Sequence, residues 1–253
     1  PLGVVATVGT TSSTSIDPVP EIADICGEHR LWLHVDAAYG GVAAIVPEKR
    51  DIFAGCERAD SLVVNPHKWL FTPVDCSTFY TRHPEVMKAA FSLVPEYLSS
   101  DRDDDEALTN LMDYGIQLGR RFRALKLWMV LSYFGSEGLA ERLRFHMRLA
   151  SDLSATIEEQ PGVELMAPVN FATVCFRFIP EGAGDEEDDR EERIEQFNSE
   201  IMNRANASGE VFLSHTKLKG RYTLRLVIGH LRSSEQDVTE VWNLLTRLAD
   251  ELD

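Results

Sequence analysis

Short apolar runs alternate along this chain with longer stretches of helical period. Residues 2–9 are apolar and β-prone and give way to a hydroxyl-rich turn over 10–15. Asp17 stands where a helix N-cap is expected, with Pro18 at the first helical position, where a missing N–H costs nothing. Ile22, Ile25 and Cys26 recur at helical spacing, and Gly27 helps to stop the helix. Leu31-Trp32-Leu33-His34-Val35 reads as a second buried strand, so the unit from Val4 to Val35 is strand, helix, strand. Such a unit implies a parallel pair with a right-handed crossover. Residues 42–58 read as irregular or short helix, 61–64 and 77–81 as strands, and 84–91 as a helix, together a doubly wound α/β domain.

Residues 99–112 begin too polar and acidic to pack, which leaves a plain surface loop or a mobile lid. The apolar positions of 116–134 are broadly helical in period and predict burial on much of the circumference. Gly135 and Gly138 punctuate this segment before an amphipathic helix over 137–158 that turns Arg142, Arg144 and Arg148 outward. Residues 163–165 and 173–178 alternate as strands. The run 181–192 (EGAGDEEDDREE) repels itself and reads as a solvated loop. A helix over 193–207, strands over 210–214 and 222–227 and a helix over 234–251 complete an α+β unit. The expected division is 1–125 and 126–253.

Composition narrows the function classes. The 253 residues are 44% hydrophobic, enough for a substantial core. No apolar run reaches the roughly 18 residues that span a bilayer. A net charge of -16 opposes binding to nucleic acid or to an anionic membrane. The cysteines at 26, 56, 76 and 175 form no C-x-x-C pair, so neither a zinc site nor a disulfide framework is indicated, and a reducing cytoplasm is expected.

The candidate chemistry lies at two strand ends. Leu62-Val63-Val64 runs into Asn65-Pro66-His67-Lys68-Trp69, and the strand before it runs into Asp36 and then small residues. A lone lysine after a strand is ordinarily a solvated charge, and a lone strand-end aspartate caps its turn. Strand ends in an open α/β sheet, however, converge on one ligand crevice. A lysine that forms a Schiff base with an aldehyde, beside an aspartate that keeps a pyridine nitrogen protonated, is the chemistry of pyridoxal phosphate (PLP). His34 shares a face with Asp36 in an unbroken strand, but an H-x-D pair without further ligands does not make a metal site.

Five segments carry a resemblance: Val5-Ala6-Thr7-Val8-Gly9-Thr10-Thr11, His34-Val35-Asp36-Ala37-Ala38-Tyr39-Gly40-Gly41, Ala59-Asp60-Ser61, Asn65-Pro66-His67-Lys68-Trp69 and Leu118-Gly119-Arg120-Arg121-Phe122-Arg123-Ala124-Leu125-Lys126-Leu127-Trp128. In sequence and spacing the chain resembles the group II PLP-dependent decarboxylases, the aromatic L-amino-acid decarboxylase family, and looks like the C-terminal half of such an enzyme. The resemblance implies a PLP-dependent type I fold, aspartate-aminotransferase-like: part of a large domain plus a small α+β C-terminal domain. It implies PLP on Lys68, Asp36 against the ring nitrogen, Thr11 and Ala38 lining the ring, and Asn65 and His67 near the phosphate or the substrate carboxylate. A homodimer and an amino-acid substrate are implied as well. Gly119 leaves room for a bulky ring in the family, which points to an aromatic substrate.

One position departs from the family pattern. Counting back from Leu118-Gly119-Arg120-Arg121 puts Leu111 where the family carries a proton-donating lid tyrosine, with Tyr114 three residues on. Three readings stay open. Tyr114, or else water or His67, supplies the proton and the product is an amine; or the intermediate is diverted to oxidative deamination and an aldehyde; or this half alone is an inactive fragment.

Overall fold

The computed structural model describes residues 1–92, 110–183 and 187–253. The first sheet has the order β1 (Gly3–Thr7), β2 (Trp32–Asp36), β3 (Ser61–Val64), β4 (Thr78–Thr81). The first three strands are parallel and β4 runs antiparallel to β3. Alternation decides which way each strand faces. Ala6, Leu33 and Val35 are buried with Val4 packed against them, whereas Val5 on the opposite face is 63% exposed.

Helix α1 (Val19–His29) makes the crossover, and its detail differs from expectation. It buries Val19, Ala23 and Cys26, while Ile25 faces solvent. Asp17 does not cap it: its carboxylate accepts the Thr7 backbone N–H at 2.7 Å, because that strand-end donor competes for the same oxygen. The helix also passes Gly27 and stops at Arg30, whose left-handed φ of 53° ends it. Three short 3₁₀ segments fill Gly40–Ile45, Pro47–Phe53 and Cys56–Arg58. Helix α2 (Pro66–Trp69) is a single turn, and α3 (Pro84–Phe91) follows β4. The lid or loop expected over 99–112 lies outside the described residues as far as 109.

Helix α4 (Arg123–Glu159) holds the two helices expected from 116 onward joined across a kink, the first beginning at 123 rather than 116. Gly135 interrupts it with φ 67° and ψ 174°, a backbone that favours glycine. Gly138 stays helical. Burial begins only after the kink, at Leu139, Leu143, Leu149 and Ile157. Before the kink Leu125, Trp128, Met129 and Leu131 are exposed, so the all-round apolar character there is not matched by burial.

The second sheet is antiparallel, in the order β5 (Val163–Leu165), β6 (Thr173–Phe178), β8 (Arg221–Val227), β7 (Ser214–Leu218). Strand β7 lies later than the expected 210–214. Helix α5 (Glu187–Ser208) starts inside the acidic run, where a solvated loop was expected. The reason is tertiary: Arg177 of β6 is fully buried and pairs with Glu191 at 2.6 Å and Glu164 at 2.7 Å, so the run supplies a counter-charge. Helix α6 (Glu235–Leu252) opens with a Ser234/Asp237 capping box and stacks Trp242 on Phe178 at 5.7 Å.

Candidate active site

Because β1, β2 and β3 are parallel and in register, their C-terminal ends coincide: Asp36 lies between Thr7 and Val63. The segments leaving these ends meet at close quarters. Gly9 has φ 92°, and a Cβ on Gly40 would stand 2.6 Å from the Val8 carbonyl oxygen, so two glycines let the β1 and β2 exits pack. Beyond them lies a cavity of about 310 Å³. From the first sheet it is lined by Thr7, Gly9, Thr10, Thr11, Thr14, Asp36, Ala38, Tyr39 and Lys68, and from the second by Thr173, Arg225 and Val227.

Lys68, Asp36, Ala38 and Thr11 therefore reach one cavity. Lys68 sits on α2, its backbone N–H bonded to the Asn65 carbonyl at 2.9 Å, with its side chain exposed at the cavity edge. One Asp36 carboxylate oxygen accepts the Ala38 N–H at 3.0 Å, so this side chain also shapes its own turn. Asn65 is the residue preceding α2, and its buried Oδ1 has no hydrogen-bond partner. The remaining expected residues stand elsewhere. The Nδ1 of His67 lies 2.6 Å from the Cys76 carbonyl oxygen and 3.1 Å from the Cys76 N–H, and His67 is not among the cavity-lining residues. Tyr114 belongs to a 3₁₀ turn, Leu111–Tyr114, and does not line the cavity either. His34 bonds Ser61 at 2.8 Å.

Residues absent from the sequence reading complete the cavity. Arg225 donates to the Ser12 and Thr11 carbonyls at 2.7 Å each and to the Ser214 hydroxyl at 2.9 Å. Asn170 adds a bond to the Thr14 carbonyl, and the Ser12 and Thr216 hydroxyls lie 3.0 Å apart. The second sheet thus clamps the turn that carries Thr11. An arginine within the apolar strand Thr223-Leu224-Arg225-Leu226 was a usable sequence signal; Thr173 offered none. Tyr39 stacks on Trp69 at 5.1 Å, and burial pushes its hydroxyl up to about 12 against the opposing influence of Thr173, the Ala172 backbone and Arg225. The phenol therefore keeps its proton.

A polar occupant fits this arrangement. Buried polar atoms are nearly always paired, and Tyr39 Oη has the Thr173 hydroxyl and the Ala172 backbone beside it, yet among the described residues Thr14 Oγ1 is buried at this cavity without a hydrogen-bond partner. A carboxylate, an amine and threonine hydroxyls around one cavity match a cofactor that carries an aldehyde, a ring nitrogen and oxygen acceptors.

Comparison with known proteins gives the class. Residues 1–179 match the pyridoxal-dependent decarboxylase conserved domain. The chain is 39% identical over 252 residues to phenylacetaldehyde synthase of Arabidopsis thaliana, covering 100% of this chain and 50% of that protein. It is 40% identical over 252 residues to tryptophan decarboxylase 1 of Oryza sativa subsp. japonica, covering 100% of this chain and 49% of that one. The crystal structure of Oryza sativa TDC with PLP and tryptamine superposes with a TM-score of 0.91 at 38% identity, over 98% of this chain and 50% of that chain. The fold is that of the type I PLP-dependent enzymes. This chain belongs to the pyridoxal-dependent decarboxylase family, and it spans about half the length of the curated relatives it matches.

Proposed function

We propose that this chain carries the lysine-bearing half of a PLP-dependent carboxy-lyase site that takes an L-amino acid, an aromatic one, to its amine and carbon dioxide. The observation that carries the reading is that Lys68 and Asp36 line one cavity at the ends of adjacent parallel strands. PLP supplies, when bound, the electron sink that accepts the electrons left behind as the carboxylate departs. Lys68 is its covalent anchor. Asp36 sets a negative charge at the end of β2, where it holds a proton on the ring nitrogen. Ala38 and Thr11 flank the ring, a small side chain and a hydroxyl that permit close approach. His67 belongs to the phosphate or carboxylate side, and Asn65 is assigned to donate its amide N–H to phosphate oxygens. Tyr114 is the candidate proton donor. The division at 125/126, a homodimer and a cytoplasmic setting are parts of the same proposal; among the described residues no helix is long and apolar enough to cross a membrane.

The test is borohydride reduction after incubation with PLP, followed by peptide mapping. A single adduct on Lys68, lost in Lys68→Ala together with carbon dioxide release from an aromatic amino acid, is the expected result; an adduct on another lysine overturns the assignment. The aldehyde-forming alternative is favoured by one feature, the exposed Leu111 in the turn that also holds Tyr114. Consumption of dioxygen, with hydrogen peroxide and ammonia released alongside the carbon dioxide, and amine restored by Leu111→Tyr, would select it. Turnover by these 253 residues alone at about 1 to 10 per second excludes the inactive-fragment reading.

A further inference from the structure

We infer that His146 is a positioning residue for Lys68, acting through the indole of Trp69; this rests on the reading of Lys68 as the cofactor-bearing lysine. Helix α2 has only four residues, and one turn of helix has little cohesion of its own. Lys68 N–H to Asn65 O and Leu70 N–H to Pro66 O hold the turn itself, and His67 N–H to Cys76 O at 3.3 Å tethers its other side to the segment before β4, but none of these bonds sets how the Lys68 side of the turn sits against the core. Trp69, the residue beside Lys68, does. It is fully buried, stacks on Tyr39 at 5.1 Å with the planes 11° apart, and receives the edge of Phe171 at 6.1 Å.

Stacking alone lets an indole slide in its own plane; a directed hydrogen bond does not. The Trp69 Nε1–H donates to Nδ1 of His146, 3.1 Å away, on the part of α4 that follows the Gly135 kink. His146 is itself fully buried, its ring 19° from the plane of Trp69 and edge-on to Phe71. An indole can only donate, so Nδ1 must be unprotonated and the ring proton resides on Nε2. Burial, with the charge of nearby Arg142, pushes the imidazole pKa down and keeps this neutral form. On the far side the imidazole interacts with the His230 backbone, which partly opposes the downward shift, so His146 is oriented between that backbone, Trp69 and its aromatic neighbours. Helix α4 thus reaches across to hold the turn that presents Lys68, and the anchor is one hydrogen bond between residues 77 positions apart.

The test compares the full chain in wild-type, His146→Asn, His146→Leu and Trp69→Phe forms, each checked for its fold by circular dichroism. Without cofactor, trace acetylation by acetic anhydride is read by peptide mass spectrometry as the reactivity of Lys68 relative to the exposed Lys88 and Lys219. We expect a shift of at least about threefold in His146→Leu and in Trp69→Phe, the scale of one net hydrogen bond, and a return to the wild-type ratio in His146→Asn, which keeps an acceptor. A merely structural role for His146 would move all lysines together or none. An unchanged Lys68 ratio in the folded variants, or no recovery with asparagine, overturns the inference. Should His146→Leu not fold, Trp69→Phe, which removes the N–H and keeps an aromatic ring, decides alone. Borohydride fixation of PLP is run in parallel: its absence from wild-type Lys68 overturns the cofactor reading and leaves the acetylation result standing.

Discussion

Strand β6 of the antiparallel sheet is buried at all six positions, whereas β1 of the parallel sheet is fully buried at only one of five. Helices α4, α5 and α6 pack on the antiparallel sheet and the threonine turn of the first half meets its other face, so even Thr173 and Arg177 are out of solvent. The parallel sheet has α1 over Val4, Ala6, Leu33 and Val35, while Val5, Phe79 and Tyr80 remain exposed, although parallel strands are ordinarily covered on both faces. The difference separates two tasks. Cohesion is concentrated in the antiparallel half, and the groups with chemistry stand at the strand ends of the less covered half.

Core truncation should expose this difference most strongly. Phe176→Ala removes a fully buried ring packed edge-on against Trp242 and Phe178. It is expected to cost about 3–5 kcal/mol of unfolding free energy. Val5→Ala, on the exposed face of β1, is expected to cost under about 1 kcal/mol. Urea unfolding of both variants checks the pair, and equal losses would break the comparison.

A smaller effect comes from charge. Glu191→Ala leaves Arg177 buried with Glu164 as its remaining partner; because Glu191 is partly exposed, we expect a loss of about 2 kcal/mol, below the full cost of breaking a buried pair. Thermal melts of Glu191→Ala against Glu191→Gln separate the lost charge from the lost packing.

The smallest effect belongs to the less covered half. Arg123 donates to Asp75 at 2.8 Å and 3.0 Å and holds that carboxyl down at about 2. A depressed folded-state pKa gives stability that is present above the ordinary carboxylate value of about 4 and is lost as pH falls toward 2. The melting temperature should therefore decline through that window, and Asp75→Asn should remove part of the decline. An unchanged slope would show that the pair is solvent-screened and contributes nothing.

Local pattern carried much of the architecture. The segments 61–64, 84–91, 163–165 and 173–178 coincide with observed elements because their period and their Pro or Gly boundaries are local signals. The misreadings share a cause. Asp17 has the chemistry of a cap, but its oxygen meets Thr7 first. Acidic residues after 186 read as solvated until Arg177, on a strand 14 residues before Glu191, is seen to need a counter-charge. In the cavity, Lys68 and Asp36 were legible from their places at or just beyond the ends of adjacent strands, and Thr11 and Ala38 only through the family resemblance. Tyr39 lay in plain sight within Asp36-Ala37-Ala38-Tyr39 but gave no sign of which way its ring turned.

By itself the sequence determined the parallel unit, the turn that presents a lysine, and the aspartate on the neighbouring strand, since backbone period and strand-end position are properties of consecutive residues. Only the tertiary structure decided that Arg225 would clamp the threonine turn more than 200 residues before it. It also decided that Thr173 would face Tyr39's cavity and that His146 would hold Trp69. These meetings depend on which surfaces close over one another, and no local period records that.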